Sequence, residues 1–514
     1  MSDSHVLVRL SQLARVWKGE AAAEAKWLSS GLAIEGDFAG IQNYVLKPVP
    51  GFKGAAKRLR ARSYRVTQLT GQIAEDVLRK FIGPSHPSPF YVTGGRFLLC
   101  VPLEDGWERK VSEAQARLDL DLFQEFGGEV AFHLAAARYQ GKVPAGVLFE
   151  QHRRRRSRPL ENALCTKDGW RDEAFFSPAG AGWGKCAACL RTMRHLQDLD
   201  DQGICDDCAH DVSEGTRLSR LPSRHGEDDF IHYFPKAPSG EPAPFEHLVT
   251  HAAGKQWLGH LRIDADHIGA AFQALEGDPN RIWGLSRFLH TFFCQRVQEL
   301  IETAYPLIYP VYGGGDDLYV IGPWNHVLEL AVRLHVEFSD MTGNQMTFSA
   351  GLALGKPHQH ILTKSDEAEA ALKLAKDTGR NRVCALGSVH EWGEFRKILQ
   401  RAGDVLRWRR QGQIPALLQG GESRDSHSTA LPNAFLQDIL QLSQAGGNVR
   451  RGRWKPLLNH QIARNVKNPD PYCRQWLDKL LEGGDEWRRA PIVVRYVLLS
   501  TQQPKAEMEA TNAP

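Results

Sequence analysis

Strand-length hydrophobic runs alternate with helix-length amphipathic stretches in two parts of the chain, about residues 31–165 and 226–395. Each part reads as an α+β unit. The first opens on "LAIEGDFAGIQNYVL", continues through "YVTGGRFLLCVPL" (Tyr91 to Leu103), which reads as a hairpin, and closes on the strand "EVAFHLAAARY". The second opens on "LGHLRIDADHIGAAFQAL" and carries two strand patterns, "AYPLIYPVY" and "LYVIGP", on either side of "GGGDD". Residues 1–30 read as a short helical lead-in and residues 166–225 as a polar, loop-rich insert. "PKAPSGEPAPFEH" (Pro235 to His247) has the composition of a linker. Residues 396–500 are mostly of helical pattern, interrupted by "GGESRDSHS", and 501–514 read as a disordered tail.

The two α+β units repeat one plan. Each begins with a strand ending in an acid and a nearby glycine ("IEGDFAGIQ" and "RIDADHIGAAF"), and each has a later Gly-Gly hairpin. The hairpins differ in chemistry: "TGGRF" places Arg96 where "GGGDDL" has an acid, so a duplicated fold with one armed copy is expected. In the second copy, Asp264 at the strand end (with Asp266 two residues on) and Asp316 and Asp317 on the hairpin match what nucleotidyl transfer demands. Two Mg²⁺ or Mn²⁺ ions held by carboxylates neutralise a triphosphate and activate the attacking hydroxyl. Gly314 and Gly315 would let the phosphates approach the backbone. Taken alone, Gly-Asp at a hairpin is also an ordinary exposed turn; the paired acids fifty residues upstream argue against that.

At 514 residues several domains are expected, and 42% hydrophobic with 24% charged residues is ordinary for a soluble globular chain. No apolar run approaches a membrane span and "MSDSHVLVRL" lacks a signal-peptide core, which reads as a cytosolic protein without a membrane partner. Four of nine cysteines form "CAAC" (Cys186, Cys189) and "CDDC" (Cys205, Cys208), fifteen residues apart, the spacing of a four-thiolate structural Zn²⁺ site. The net charge is only +4, but arginine is bunched in "KRLRARSYR", "HRRRRSR", "RWRR" and "RRGRWK". Such clusters suit phosphate backbones as well as solvated helix faces. Lys57, Arg58, Arg60 and Arg62 are the candidate contacts with RNA or a neighbouring subunit, and "HRRRRSR" reads as a flexible electrostatic contact whose arginines cannot all pack.

In order, "GDFAGIQNYVL", "GFKGAAKRLRARSYRVTQLTGQIAEDVL", "TGGRF", the paired C-x-x-C, "RIDADHIGAAF", "YGGGDD" and "SAGLALGKPHQHI…EAEAALKLAKDTGRNRV" resemble the large polymerase-like subunit of type III CRISPR effector complexes, over about residues 31–390. The resemblance implies two ferredoxin-like palm domains related to nucleotide cyclases, a zinc module between them and a C-terminal helical domain. It also implies synthesis of cyclic oligoadenylates from ATP, switched on by target RNA bound to a guide RNA within a multi-subunit complex. It would place metal ions on Asp316 and Asp317, and ATP contacts on Ser349 and Lys376. Two departures stand out. The first palm motif starts near residue 31, which leaves no place for the family's histidine–aspartate nuclease domain, so no DNase activity is expected; the His210-Asp211 dipeptide reads as incidental. His267 stands where Asn commonly follows D-x-D. A silent RNA-binding scaffold and a stand-alone cyclic-dinucleotide synthase are the alternatives.

Overall fold

The computed structural model describes residues 29–47, 52, 54–83, 90–157, 165–166, 169–170, 183–221, 230–409, 431–445 and 454–502. The lead-in, "GGESRDSHS" and the tail from 503 lie outside them, as does "RRGRWK" up to residue 453.

Two antiparallel-centred sheets carry the same topology. In the first, strands β1 (Ser30–Ala39), β2 (Phe90–Thr93), β3 (Arg96–Val101) and β4 (Ala131–Gln140) are ordered β2-β3-β1-β4. In the second, β5 (Leu258–Ala265), β6 (Tyr309–Gly314), β7 (Asp317–Pro323) and β8 (Phe348–Gly355) are ordered β6-β7-β5-β8. Strands β9 (Arg382–Ala385) and β10 (Ser388–Glu391) extend that sheet. The opening strand is central in both, so whatever its last residue carries is flanked by the hairpin on one side and the fourth strand on the other. The registers coincide: Asp37 faces Arg96 and His133, as Asp264 faces Asp317 and Ser349.

β1 is buried along nearly its whole length, without the one-sided alternation of a solvent-facing strand. Leu32, Ile34 and Phe38 pack beneath helix Ala55–Ile82, whereas Ala33 joins the core of the second sheet. Successive side chains leave a strand on opposite faces, so Glu35 and Asp37 share Ala33's face. "PKAPSGEPAPFEH" is not a free linker: Ala243 and Phe245 are buried with Phe234 and Tyr309 between the two sheets.

The basic segments behave differently from their sequence reading. Arg58, Arg60 and Arg62 are buried on helix Ala55–Ile82, so they do not offer an RNA-facing surface; only Lys57 is partly exposed. Arg62 donates to Asp211 Oδ2 at 2.7 Å and to Tyr44 O at 2.7 Å, while the Arg60 guanidinium lies 4.1 Å from the Phe230 ring centre. Asp211 belongs to helix Asp206–Arg220, which packs along the long helix so closely that a Cβ on Gly215 would meet Lys57 O at 2.0 Å. This also accounts for His210-Asp211: its acid is committed to arginines. Residues 152–156 of "HRRRRSR" form the end of helix Ala145–Arg156, where Arg153 and Arg154 bind Glu150, Arg156 binds Asp37 and His152 is buried against Glu35. Acid partners on the same helix and on β1 relieve the repulsion that the run of arginines alone implies. Arg409 of "RWRR" is buried and donates to Asn433 at 2.8 Å. Arg62→Ala strands a buried carboxylate, and a loss of about 3–5 kcal/mol in denaturant unfolding is expected; a change within error would show that Asp211 finds water.

Trp476 lies in the core, and Trp454 stacks on Trp487 with ring centres 4.0 Å apart, which leaves none of the three free as a base platform.

Candidate active site and metal centre

The hairpin between β6 and β7 closes through two residues, Gly315 and Asp316, with Gly314 paired to Asp317. Gly315 has φ +61° and Gly314 φ +151°, conformations that disfavour side chains. Asp316 O accepts from Ala265 N at 2.9 Å, which pins the turn to the end of β5. Asp264 and Asp317 are therefore cross-strand neighbours and Asp316 caps them. Among the described residues the three carboxylates do not close within 4.8 Å of one another, since only the four cysteines do. Lys376 Nζ forms an ion pair with Asp264 there. Helix Ile361–Asp377 reaches that position because Gly351 on β8 lets it lie close; a Cβ there would meet Ala368 O at 2.2 Å.

Sequence reading missed Arg262 and Tyr312. Arg262 sits two residues before Asp264, on the same strand face, is buried, donates to Tyr312 Oη and lies 3.0 Å from Glu369. The i, i+2 spacing was the available signal. Arg262 and Lys376 compensate the acids from below and from the side. The two residues expected at the substrate divide. Lys376 is at the acids, but Ser349 is fully buried and its hydroxyl donates to Asp266 Oδ1 at 2.8 Å. Asp266 also accepts from Thr347 Oγ1 at 2.8 Å and Asn381 N at 2.9 Å, so it ties β8 to the turn before β9 and has three of its roughly four lone-pair sites taken. The Ser349 hydroxyl is therefore engaged with Asp266 in this arrangement. His267 has φ +58°, the left-handed conformation that Asn also tolerates, which explains how it occupies that place.

Burial pushes the Asp264 carboxyl up to about 6, with Lys376 opposing and Asp316 adding to the rise. Burial also raises Asp316, and burial followed by the neighbouring Asp316 and Asp264 charges raises Asp317 well above the ordinary range. An acid raised in the folded state stabilises it below the unfolded value of ~3.9, and that contribution is lost as pH rises through about 6. A divalent cation reverses this by requiring the ionised forms. The Mg²⁺-induced rise in melting temperature is expected to be near zero around pH 5 and to reach its plateau only well above pH 6. A shift of equal size at both ends would show that Asp264 takes no part.

The second centre lies at Cys186, Cys189, Cys205 and Cys208, all buried, with sulfurs within 4.8 Å of one another and Cys189 Sγ 3.8 Å from Cys205 Sγ. Thiolates ~2.3 Å from a tetrahedral zinc would be about 3.8 Å apart, so the donor set fits Zn²⁺ without an open position. Backbone N–H groups of Ala188 and Cys205 donate to Cys186 Sγ at 3.4 and 3.3 Å, and Arg191 donates to Cys189 Sγ at 3.4 Å. Buried Arg58 has no hydrogen bond of its own, lies 3.7 Å from Asp211, and its charge lowers Cys208 against the raising effect of the other thiols. A cluster carrying net negative charge gives that guanidinium a counterion. Cys100, Cys294, Cys384 and Cys473 are buried and form no disulfide among the described residues.

Two family models match this chain: the second palm domain of Cas10/Cmr2 over residues 257–384 and domain B of the Csm1 subunit over residues 31–161. The chain thus resembles Cas10/Csm1 proteins in both of its sheet domains. Curated relatives include proteins named CRISPR system single-strand-specific deoxyribonuclease Cas10/Csm1 (subtype III-A). That from Thermococcus onnurineus is 25% identical over 71% of this chain and 58% of its own length; that from Mycobacterium tuberculosis is 22% identical over 86% and 63%. The chain thus spans about three fifths of the length of these family members. Among solved structures, a Csm1–Csm4 cassette in complex with cA3 superposes with a TM-score of 0.62 at 20% identity, covering 96% of this chain and 72% of its own. The Csm1 of T. onnurineus gives 0.60 at 22% identity, over 94% and 72%. The family fold therefore spans the C-terminal helices as well as the two sheets. No helix among the described residues is long and apolar enough to cross a membrane.

Proposed function

We propose that this chain is the large subunit of a type III CRISPR effector complex and that its second sheet joins ATP molecules into cyclic oligoadenylates when target RNA is bound. The observation that carries this is the placement of Asp316 and Asp317 on a glycine hairpin whose register sets Asp317 opposite Asp264. Solved relatives crystallised with cA3, with cA4, with an ATP analogue and with pppApA support the reading. Asp264, Asp316 and Asp317 would hold Mg²⁺ or Mn²⁺, which neutralises the triphosphate and activates the 3′-hydroxyl. Lys376 would leave Asp264 for phosphate as the cation enters. Gly314 and Gly315 offer backbone without side-chain bulk. A second ATP, the acceptor, would occupy the cavity of about 490 Å³ between the sheets, lined by Gly40, Gly94, Arg156, Phe230, Tyr312 and Asp317. Catalysis would rest on positioning and charge neutralisation. Zn²⁺ on the four cysteines would be structural, and the complex would contribute guide RNA and further subunits. The buried arginines leave the RNA-facing surface of this chain to be mapped elsewhere.

The test is to incubate the purified assembly with ATP and Mg²⁺ or Mn²⁺, with and without matching target RNA, and identify products by mass spectrometry. RNA-dependent cyclic oligoadenylates are expected. Product made equally without RNA would favour a stand-alone synthase, and none at all, despite RNA binding, a scaffold.

A further inference from the structure

A guanidinium carries five N–H donors and a permanent charge, and burying it without partners is costly. Arg58 on helix Ala55–Ile82 is in that position. It is 0% exposed, and Nε, Nη1 and Nη2 have no hydrogen-bond partner among the described residues. Asp211 does not meet the need: it lies 3.7 Å from Arg58 Nε, but Arg62 Nε takes the same Oδ2 at 2.7 Å. The other group within reach of the Arg58 charge is Cys208. It precedes Asp211 by three residues on helix Asp206–Arg220 and so shares its face.

The four sulfurs are unequally served. Cys186 Sγ accepts from two backbone N–H groups and Cys189 Sγ from Arg191. Cys205 and Cys208 receive no N–H donor among the described residues. An unused set of donors thus stands beside an unserved thiol. The mismatch ends when zinc makes Cys208 a thiolate, because a zinc ion with four thiolates is net negative and calls for donors around it.

What surrounds Arg58 gives this contact a reach beyond the cysteines. The start of its helix seats on helix Asp206–Arg220 without slack: a Cβ on Gly54 would meet Val212 Cγ2 at 2.8 Å, and one on Gly215 would meet Lys57 O at 2.0 Å. Two residues before Arg58, the Ala56 carbonyl accepts from Tyr309 Oη at 2.8 Å. Tyr309 is buried and opens β6, whose last residue, Gly314, enters the turn that bears Asp316 and Asp317. The cysteine cluster and the acid-bearing strand therefore grip the same turn of the long helix.

We propose that Arg58 is a positioning residue for the zinc centre, donating to Cys208 when zinc is bound, and that through it zinc holds the first turn of the long helix and the Tyr309 anchor of β6. This rests on the zinc reading of the four cysteines. Zinc occupancy then becomes a condition for holding the strand that carries the hairpin acids, as well as for folding the insert.

The purified full chain tests this, first by elemental analysis and then by competition for zinc with a chromogenic chelator. One zinc per chain is expected. Arg58→Met keeps the bulk and leaves Asp211 its bond to Arg62, and it should bind zinc about 10–100-fold more weakly. Arg58→Lys, which keeps the charge but loses the fork, should fall between. With zinc, Arg58→Met should melt below the wild type; in excess chelator it should melt at or above it, since a charge without a partner has gone. A residue that merely packs would lower both alike. In zinc-loaded Arg58→Met, hydrogen exchange should rise at residues 55–62 and at 309–314. Unchanged zinc competition, an equal fall in melting temperature with and without zinc, or unchanged exchange at 309–314 overturns the proposal. A wild-type chain that holds no zinc refutes the zinc reading and the proposal together, whereas a zinc-loaded chain indifferent to Arg58 refutes the proposal alone.

Discussion

Asp316→Ala/Asp317→Ala should reduce ATP conversion by roughly 10³-fold or more and leave the melting temperature unchanged or slightly higher. The two halves of this expectation have one cause. These carboxyls are half-buried beside each other and beside Asp264 at the end of a central strand, and that partial burial already pushes them toward the neutral form. A group that is costly to ionise in the metal-free fold is not there for stability, so its removal relieves strain in the resting state. Its worth appears only with cations bound. Gly315 keeps its conformation because the variant does not touch it, and Ala at 316 retains the backbone bond from Ala265 N to its carbonyl. Product assays and a melting curve on the same preparation decide the matter. Full activity would move the chemistry to another site, and a large fall in melting temperature would make the acids structural.

Removal of the zinc proposed for the four cysteines is expected to be the other large effect. Chelation, or Cys189→Ser, is expected to unfold residues 183–221 and to loosen helix Ala55–Ile82 with them. Structural four-thiolate sites bind zinc with roughly 10–16 kcal/mol, more than an insert with few apolar residues gains by packing. Helix Asp206–Arg220 carries Cys208, with Cys205 as its N-cap, and also Asp211, the partner of Arg62 and neighbour of Arg58. When it goes, the buried Arg58 and Arg62 on the long helix lose their acid. Hydrogen exchange should rise in both helices on adding a chelator. A rise confined to residues 183–221 would mean that the long helix stands without the insert.

What was readable in the sequence was local. Gly-Gly-Asp-Asp between two strand patterns specifies its own turn, and C-x-x-C pairs specify their own tetrahedron, because both need only neighbours in the chain. The duplication was readable because the same acid, helix and hairpin recur. What failed was long-range. Nothing near Arg62 announces Asp211, 149 residues away, so an arginine-rich helix looked like a surface. Ser349 and Asp266 lie 83 residues apart, so the hydrogen bond from the serine to that buried acid was not legible. The arginines after His152 seemed unable to pack because their partners, Asp37 on β1 and Glu150 one turn back, had not been placed beside them.

The seam between helix Ala55–Ile82 and helix Asp206–Arg220 has an implication for how such a chain can be altered. The insert is not a cassette. A zinc knuckle transplanted from elsewhere would supply the thiolates but not Asp211 at Arg62, nor the bare backbone of Gly215 against Lys57 O. Grafts and chimeras should therefore be cut so that the two helices travel together, with their crossing treated as the heritable unit.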